Sequence, residues 1–365
     1  MKKVIIKSSS KTYPVIIGSS NLNLLPDELS KSELPGSIFI VIDKNVFNYH
    51  EDAISSIFRN HKGRIYYYQL PSGEKYKNEN QLKDIYKSLL DNRFGRDTTL
   101  IAFGGGVAGD LAAYTASTYM RGVPFVNVPT TLLAMIDSAI GGKTGINFNG
   151  RKNIIGTFYQ PELVFIDTAF LKTLPQREFS SALGELIKYG MISNKAYCEF
   201  LNQNFEKIES QETDSVNHAI TESVKFKAGV VSQDEFEKKG IRKILNLGHT
   251  FAHGFESDLK FKLKHGEAVT AGIVCALFVS EKIGLLNSKN IDELLVLPAK
   301  IKMPNQIQNL NYNSIFEIMM SDKKVSDGEL KLVLISNIGK TIVDVPVMKK
   351  DVFFAIDKMR KFFSV

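Results

Sequence analysis

The sequence predicts an α/β domain with a largely parallel sheet, followed by a mainly α-helical domain. Up to about residue 170, short runs rich in β-branched and aromatic residues alternate with helical segments. Beyond residue 171, apolar residues recur mainly at helical spacing instead. We therefore place the two domains at residues 1–170 and 171–365, since a chain of this length can bury two sizeable cores.

Seven segments of the first domain have the length and composition of β-strands and end close to Gly, Asp or Pro residues. They span residues 4–6, 15–17, 38–42, 65–69, 99–103, 125–128 and 163–166. A helical segment at residues 80–91 lies between two of them. Because strands and helices alternate, we expect the sheet to be largely parallel.

The second domain has helical spacing over residues 178–201, 214–231 and 267–283. Strand-like runs return at residues 330–336 and 341–345, and the short turn between them contains an Asn and a Gly. The sequence therefore predicts a helical domain that carries one β-hairpin.

Composition narrows the class of protein. Hydrophobic residues make up 44% and charged residues 23%, which excludes collagen-like and largely disordered chains. The 46 basic and 39 acidic residues give a net charge of +7, which favours small anionic substrates over a nucleic-acid surface. The two cysteines form no Cys-x-x-Cys pair, and no apolar stretch reaches the roughly 20 residues of a membrane span. We expect a cytoplasmic protein that binds neither nucleic acid nor membrane.

A glycine-rich turn follows the strand at residues 99–103. Residues 104–110 match G-x-G-x-x-G between a strand and a helix, where a backbone free of side chains can approach a pyrophosphate at a helix N-terminus. A tight turn without a ligand would give the same pattern. No acidic residue follows about 20 positions later, as the dinucleotide fingerprint requires. Asp43, Glu74 and Lys77 are the alternative candidates for contacting the ribose.

Residues 129–160 are dense in Gly, Thr, Asn and Lys, which favours an anion-lined loop over a core segment. Lys143, Lys152 and Asn153 could hold a phosphate or a carboxylate, and Asp137 could accept hydrogen bonds from hydroxyls. A solvated loop with ordinary lysines is the alternative. The GGKTG segment lacks the four-residue spacer of a P-loop, so ATP hydrolysis is disfavoured.

Three of the six histidines, His249, His253 and His265, fall within seventeen residues. His249 and His253 share a helix face at i, i+4, and catalytic zinc commonly takes three protein ligands. A carboxylate ligand could come from Glu185, which shares a face with Lys188 at i, i+3. Spacing alone favours His249 and His253 as ligands and leaves His265 open. A threonine follows His249 where zincins have Glu, which disfavours a metalloprotease.

Taken together, these motifs resemble the 3-dehydroquinate synthase family, within the sugar-phosphate cyclase superfamily. The shared stretches run in order along nearly the whole chain, and the first and fifth are highly specific in combination. They are residues 104–147, GRKNIIGTFYQP, FLKTLP, GELIKYG, LNLGHTFAHGFE, HGEAV and DKKVSDG. The resemblance implies a Rossmann-like NAD-binding domain, a helical metal-binding domain and a homodimer.

The resemblance also implies roles for individual residues. The metal, zinc or cobalt, would be held by Glu185, His249 and His265, while His253 would face the substrate and transfer protons. NAD contacts would fall on Asp43, Glu74, Lys77, Gly105, Gly106, Val107, Asp110, Thr130, Thr131, Lys152, Phe170, Leu171, Lys172 and Thr173. Substrate contacts would fall on Asp137, Lys143, Asn153, Lys188, Lys227, Arg242, Asn246, one or both of Lys323 and Lys324, and Arg121 from the neighbouring subunit. Catalytic roles are expected for His253, Glu237, Lys188, Lys143, Asn153, Arg242 and Asn246.

The implied enzyme is a carbon–oxygen lyase of the shikimate route to chorismate and the aromatic amino acids. It would convert 3-deoxy-D-arabino-heptulosonate 7-phosphate to 3-dehydroquinate and phosphate by transient oxidation with NAD, phosphate elimination, re-reduction and intramolecular aldol closure. A related sugar-phosphate cyclase is one alternative, but its substrate lacks the carboxylate that Arg242 and Asn246 would serve. A metal-dependent polyol dehydrogenase, which would release NADH, is the other.

Overall fold

The computed structural model describes residues 1–321 and 329–364 and divides into two units. Unit 1 comprises Met1–Leu174 and Thr213–Phe236, and unit 2 comprises Pro175–Glu212 and Glu237–Val365. Lys323 and Lys324 lie outside the described residues. Among those described, no helix is both long enough and apolar enough to cross a membrane.

The strands of unit 1 include all seven that the sequence predicts. In chain order they are β1 (Lys2–Lys7), β2 (Thr12–Gly18), β3 (Ser37–Asp43), β4 (Ile65–Leu70), β5 (Thr98–Gly104), β6 (Phe125–Pro129), β7 (Ile146–Phe148), β8 (Arg151–Ile155) and β9 (Leu163–Asp167). The main sheet has the order β1-β2-β9-β6-β5-β3-β4, and its neighbours are parallel except for β1 and β2. The predicted, largely parallel sheet is confirmed.

Strands β3 and β5 are buried along almost their whole length, as parallel strands covered on both faces should be. Phe39 and Leu100 from these strands pack into one core cluster with Ile85 and Leu111 from flanking helices. The helices of both units are α1 (Leu25–Lys31), α2 (Lys44–Ile57), α3 (Glu79–Asp91), α4 (Gly106–Thr118), α5 (Gln176–Ser193), α6 (Lys195–Gln203), α7 (Phe205–Glu209), α8 (Thr213–Gln233), α9 (His249–Asp258), α10 (His265–Lys282), α11 (Ser288–Ala299), α12 (Tyr312–Ser321) and α13 (Lys349–Phe362).

The structure differs from the expected division at α8, which groups with unit 1 although it lies beyond residue 171. The helix packs on β1 and β2 and on the π-helical turn Ala134–Ser138. Its buried residues include Val216, Ile220 and Val224. An apolar helix face shows that a helix is covered, but periodicity cannot show which sheet covers it.

Residues 129–160 are more ordered than the anion-lined loop that the sequence predicts. They contain the π-helical turn and an antiparallel hairpin of β7 and β8. Three exposed polar residues begin β8 and two half-buried isoleucines end it, so it lacks the apolar alternation that marks a strand. The candidate anion-binding residues Lys152 and Asn153 therefore lie on a hairpin.

Unit 2 is built around α10, which packs against α5, α9, α11 and α13. The predicted hairpin is present as β10 (Lys331–Asn337) and β11 (Lys340–Pro346). The helix predicted over residues 178–201 is two helices, because the Asn194 side chain accepts a hydrogen bond from Tyr197 N at 2.9 Å and caps α6.

Close helix contacts in unit 2 depend on glycine. A Cβ atom added at Gly184 of α5 would lie 2.2 Å from the Gly266 carbonyl oxygen of α10. A Cβ atom added at Gly248, just before α9, would lie 2.6 Å from Ile273 N of α10. Gly248 also has a left-handed backbone with φ of 77°. These contacts bring α5, α9 and α10 to one place.

We expect Gly184→Ala to lower the free energy of unfolding by about 1–3 kcal/mol, because the added methyl overpacks the contact between α5 and α10. Gly229→Ala is the matched control, since Gly229 lies within α8 and its added Cβ would meet nothing within 4 Å. Alanine should stabilise that position by up to about 1 kcal/mol. Urea unfolding followed by circular dichroism compares the two, and equal effects would contradict the close approach.

Candidate functional site

Three side chains that could bind a metal ion lie together where α5, α9 and α10 meet. Glu185 comes from the middle of α5, whereas His249 and His265 are the first residues of α9 and α10. One ligand atom from each lies within 4.8 Å of the other two. The two helix N-termini and the glycine contacts therefore bring together residues that are as many as 80 positions apart in the sequence.

Glu185 is the centre of this group and is fully buried. Its Oε1 lies 3.3 Å from His249 Nε2 and 3.4 Å from His265 Nε2, and Lys188 Nζ contacts its Oε2. Beyond these contacts with Lys188 and the two imidazoles, its carboxylate oxygens have no other hydrogen-bond partner among the described residues. A buried carboxylate with open acceptor sites beside two imidazoles is a donor set that fits zinc or cobalt.

The side chains of this group shift one another's pKa values. Burial would raise the pKa of Glu185, but Lys188 and His249 outweigh it and hold that pKa well below the usual range. Burial and Lys188 lower the pKa of His249 to about 4. Burial also opposes the charged form of His265, but hydrogen bonding to Glu185 and Glu256 raises its pKa to about 10.

His253 lies outside this group, although it follows His249 on the same face of α9. The two ring centroids are 6.0 Å apart and nearly perpendicular. The expectation from i, i+4 spacing therefore differs from the structure, which places His265 of another helix beside Glu185 instead. Helical spacing can find neighbours on one helix, but a ligand set drawn from three helices has no such signal.

Further predicted site residues of unit 2 lie on α5 or on a turn that packs against it. Lys188 is buried on α5, and the 3-10 turn Ile241–Asn246, which contains Arg242 and ends at Asn246, packs against α5. Arg242 is also buried, with its Nε 3.3 Å from Glu237 Oε1. Glu237 has a left-handed backbone with φ of 56°, which is uncommon outside glycine.

Glu256 is a contact that sequence reasoning missed. It is buried on α9, and its Oε1 lies 3.6 Å from His265 Nδ1, on the ring edge away from Glu185. A carboxylate behind a ligating imidazole orients the ring and increases its basicity. No sequence signal pairs this residue with His265, because the contact joins two helices.

The glycine-rich turn of unit 1 joins β5 to α4. Gly105 precedes α4 and leaves its N-terminus without a side-chain cap. A Cβ atom added at Gly105 would lie 3.0 Å from Thr131, and one added at Gly106 would lie 3.2 Å from Ser138 Oγ. The uncapped backbone amides and the narrow space suit a phosphate group, which needs close approach to the backbone.

The other predicted cofactor residues of unit 1 collect at the same edge of the sheet. Strands β3, β5, β6 and β9 are parallel, so their carboxyl ends meet there. Asp43 ends β3 and caps α2 by accepting a hydrogen bond from Asn45 N at 2.8 Å. The residues that follow β5, β6 and β9 at this edge are Gly105, Gly106, Val107, Thr130, Thr131, Phe170, Leu171, Lys172 and Thr173.

Polar contacts in unit 1 connect several predicted residues. Lys77 is buried and its Nζ contacts both Asp110 and the Asn153 side chain. Lys227 Nζ donates to Asp137 Oδ1 at 2.6 Å and to the Asp137 carbonyl at 2.7 Å. Three predicted cations, Lys143, Lys152 and Arg121, are exposed in unit 1.

Fold and site together are those of a metal-dependent enzyme with a nucleotide-binding α/β unit. The family models described as 3-dehydroquinate synthase N-terminal and C-terminal match residues 67–181 and 182–325. A curated 3-dehydroquinate synthase of Geotalea uraniireducens is 39% identical over 355 residues, which cover 94% of this chain and 97% of the relative. One from Vibrio atlanticus is 38% identical over 95% of this chain and 96% of its own. The chain belongs to the 3-dehydroquinate synthase family, so the resemblance is confirmed.

Solved structures confirm the fold class. A 2-deoxy-scyllo-inosose synthase complexed with carbaglucose-6-phosphate, NAD+ and Co2+ matches with a TM-score of 0.88 at 24% identity over 99% of each chain. ValA, a 2-epi-5-epi-valiolone synthase from Streptomyces hygroscopicus subsp. jinggangensis 5008 with NAD+ and Zn2+ bound, matches with a TM-score of 0.87. Its identity is 23%, and the match covers 96% of this chain and 97% of that one.

We expect Glu256→Gln to weaken zinc binding about 10–100-fold, because the imidazole of His265 loses the carboxylate behind it. Competition with a chromophoric chelator measures the zinc dissociation constant. Glu178→Gln is the control, since it removes a carboxylate from an exposed ion pair with Lys264 in the same unit. Zinc affinity that is equal in Glu256→Gln and the unchanged protein would contradict a supporting role for Glu256.

Proposed function

We propose that this protein converts 3-deoxy-D-arabino-heptulosonate 7-phosphate to 3-dehydroquinate and phosphate, with NAD and a divalent cation as cofactors. The observation that carries the proposal is the group of Glu185, His249 and His265, in which two imidazoles surround a buried carboxylate. It occurs in a chain whose curated relatives at 38–39% identity are named 3-dehydroquinate synthase. The reaction belongs to the route to chorismate and the aromatic amino acids.

The cofactors divide between the two units. Glu185, His249 and His265 of unit 2 would hold zinc or cobalt, because two imidazoles and a carboxylate suit either ion. Asp43, Glu74, Lys77, Asp110, Lys152 and the residues at the carboxyl edge of the sheet in unit 1 would hold NAD. When bound, NAD supplies a reversible hydride acceptor, and the cation supplies a Lewis acid for sugar oxygens.

The protein's own residues bind and orient an anionic sugar phosphate. Lys188 and Arg242 offer buried positive charge in unit 2, and a buried cation binds a carboxylate or phosphate more strongly than an exposed one. Asn246 closes the same 3-10 turn and offers an amide for hydrogen bonding. His253 lies beside His249 and is the proposed residue that moves a proton at a substrate hydroxyl.

Unit 1 contributes a second set of substrate residues. Asp137 fixes the ammonium group of Lys227 through two hydrogen bonds, so Lys227 is held in one orientation. Lys143 and Asn153 lie in the segment around the β7–β8 hairpin and would bind the phosphate or carboxylate of the substrate. In unit 2, the resemblance assigns Glu237 to the catalytic set, and its carboxylate lies 3.3 Å from Arg242 Nε.

The proposal includes a homodimer in the cytoplasm. Arg121 is exposed in the segment after α4 and has a left-handed backbone with φ of 69°. It would serve the site of a second copy. Both cysteines are free and buried, which agrees with a reducing compartment.

Phosphate release and 3-dehydroquinate formation from the heptulosonate phosphate test the proposal directly. We expect turnover that requires NAD and a divalent cation, stops with chelator and returns with zinc or cobalt. Arg242→Lys, which keeps the charge but loses the planar fork, should raise KM by about tenfold or more. Faster turnover of sedoheptulose 7-phosphate or glucose 6-phosphate would indicate a different cyclase. Net NADH formation with glycerol would indicate a polyol dehydrogenase.

A further inference from the structure

Asn147 of β7 makes three hydrogen bonds that join separate parts of unit 1. Its backbone N donates to Lys77 O at 2.8 Å, and its Nδ2 donates to Glu74 Oε1 at 2.8 Å. Its Oδ1 accepts from Asn153 N at 2.9 Å. Asn147 therefore contacts one proposed NAD residue, Lys77, through its backbone. Its half-buried side chain contacts a second, Glu74, and the proposed substrate residue Asn153. Asn147 itself has been given no role.

Hydrogen bonds hold Asn153 both at its backbone amide and at its side chain. Its backbone amide is fixed by Asn147, while its side-chain oxygen accepts a hydrogen bond from Lys77 Nζ, which also contacts Asp110. Asn153 has a left-handed backbone with φ of 53°, a conformation that asparagine adopts more readily than most residues. A backbone held away from its common conformation depends on such contacts.

The β7–β8 hairpin does not need Asn147 merely to pair its strands. The strands are joined by backbone pairing of Ile146 with Ile155 and of Phe148 with Arg151. The Asn147 side chain instead points its polar atoms at Glu74 and at the backbone of Asn153. Its contacts are better suited to connecting two binding surfaces than to closing a hairpin.

We infer that Asn147 is a positioning residue that couples NAD binding to binding of the substrate's anionic group, by linking Glu74 and Lys77 to Asn153. The inference rests on the proposed function, because that function states which residues contact NAD and which contact the substrate's anionic group. A ligand that restrains Glu74 and Lys77 also restrains Asn153 through Asn147. By thermodynamic reciprocity, NAD and the anion then strengthen each other's binding by the same factor.

Calorimetric titration of NAD into the zinc-loaded protein, with and without saturating inorganic phosphate, measures this coupling without turnover. We expect phosphate to lower the NAD dissociation constant of the unchanged protein by about fivefold or more. In Asn147→Asp the acceptor for Asn153 N is kept, but the donor to Glu74 is replaced by a repelling carboxylate. The effect of phosphate should then fall below about twofold, with KM for the heptulosonate phosphate raised and kcat changed less than KM.

Two further variants separate coupling from folding. Arg151→Ala changes an exposed residue of the same hairpin and should keep the full effect of phosphate. Adding Glu74→Gln to Asn147→Asp restores a donor and an acceptor between these positions in the reverse direction, so the coupling should partly return relative to Asn147→Asp. The double variant therefore tests the coupling even if Asn147→Asp alone is poorly folded.

An unchanged phosphate effect in Asn147→Asp, or none in the unchanged protein, would overturn the inference. Equal loss of thermal stability in Asn147→Asp and in the double variant, with no return of coupling, would also overturn it, because Asn147 would then only support the fold. Coupling between NAD and phosphate in a protein that does not turn over the heptulosonate phosphate would support this inference while refuting the proposed function.

Discussion

Unit 2 depends on one buried carboxylate. Glu185 is withdrawn from water at the meeting point of three helices, and a buried charge is very costly unless other charges compensate it. Lys188 and two imidazoles surround it, and the glycine contacts at Gly184 and Gly248 allow the helices to come close enough for this. The close packing of the helices thus brings together a carboxylate and two imidazoles, a donor set that fits a divalent cation.

In unit 1, the candidate binding residues are positioned by a largely parallel sheet. Its strands place their carboxyl ends at one edge, and the turn at Gly105 and Gly106 exposes backbone amides there. In unit 2, two of the three candidate metal ligands, His249 and His265, begin their helices. In unit 1, the predicted cofactor contacts lie at strand ends instead. Both depend on glycine where backbone or helices must approach closely.

The sequence predicts much of this, and the limits have physical causes. The sequence predicts all seven strands of the main sheet, most clearly the buried parallel strands β3, β5, β6 and β9, because such strands appear as continuous apolar runs. The sequence does not predict the β7–β8 hairpin, because β7 has only three residues and β8 begins with three exposed polar ones. Spacing on one helix suggested His253, but only the family resemblance pointed to His265. Contacts such as Glu256 with His265 and Asn147 with Glu74 join distant segments, so local patterns cannot reveal them.

X-ray absorption of the zinc-loaded protein tests the central claim about Glu185 most directly. We expect two imidazole nitrogens and a carboxylate oxygen at about 2.0–2.2 Å from the ion. His265→Ala should remove one imidazole from the spectrum, and His253→Ala should leave both. A spectrum that loses an imidazole in His253→Ala but not in His265→Ala would contradict the account.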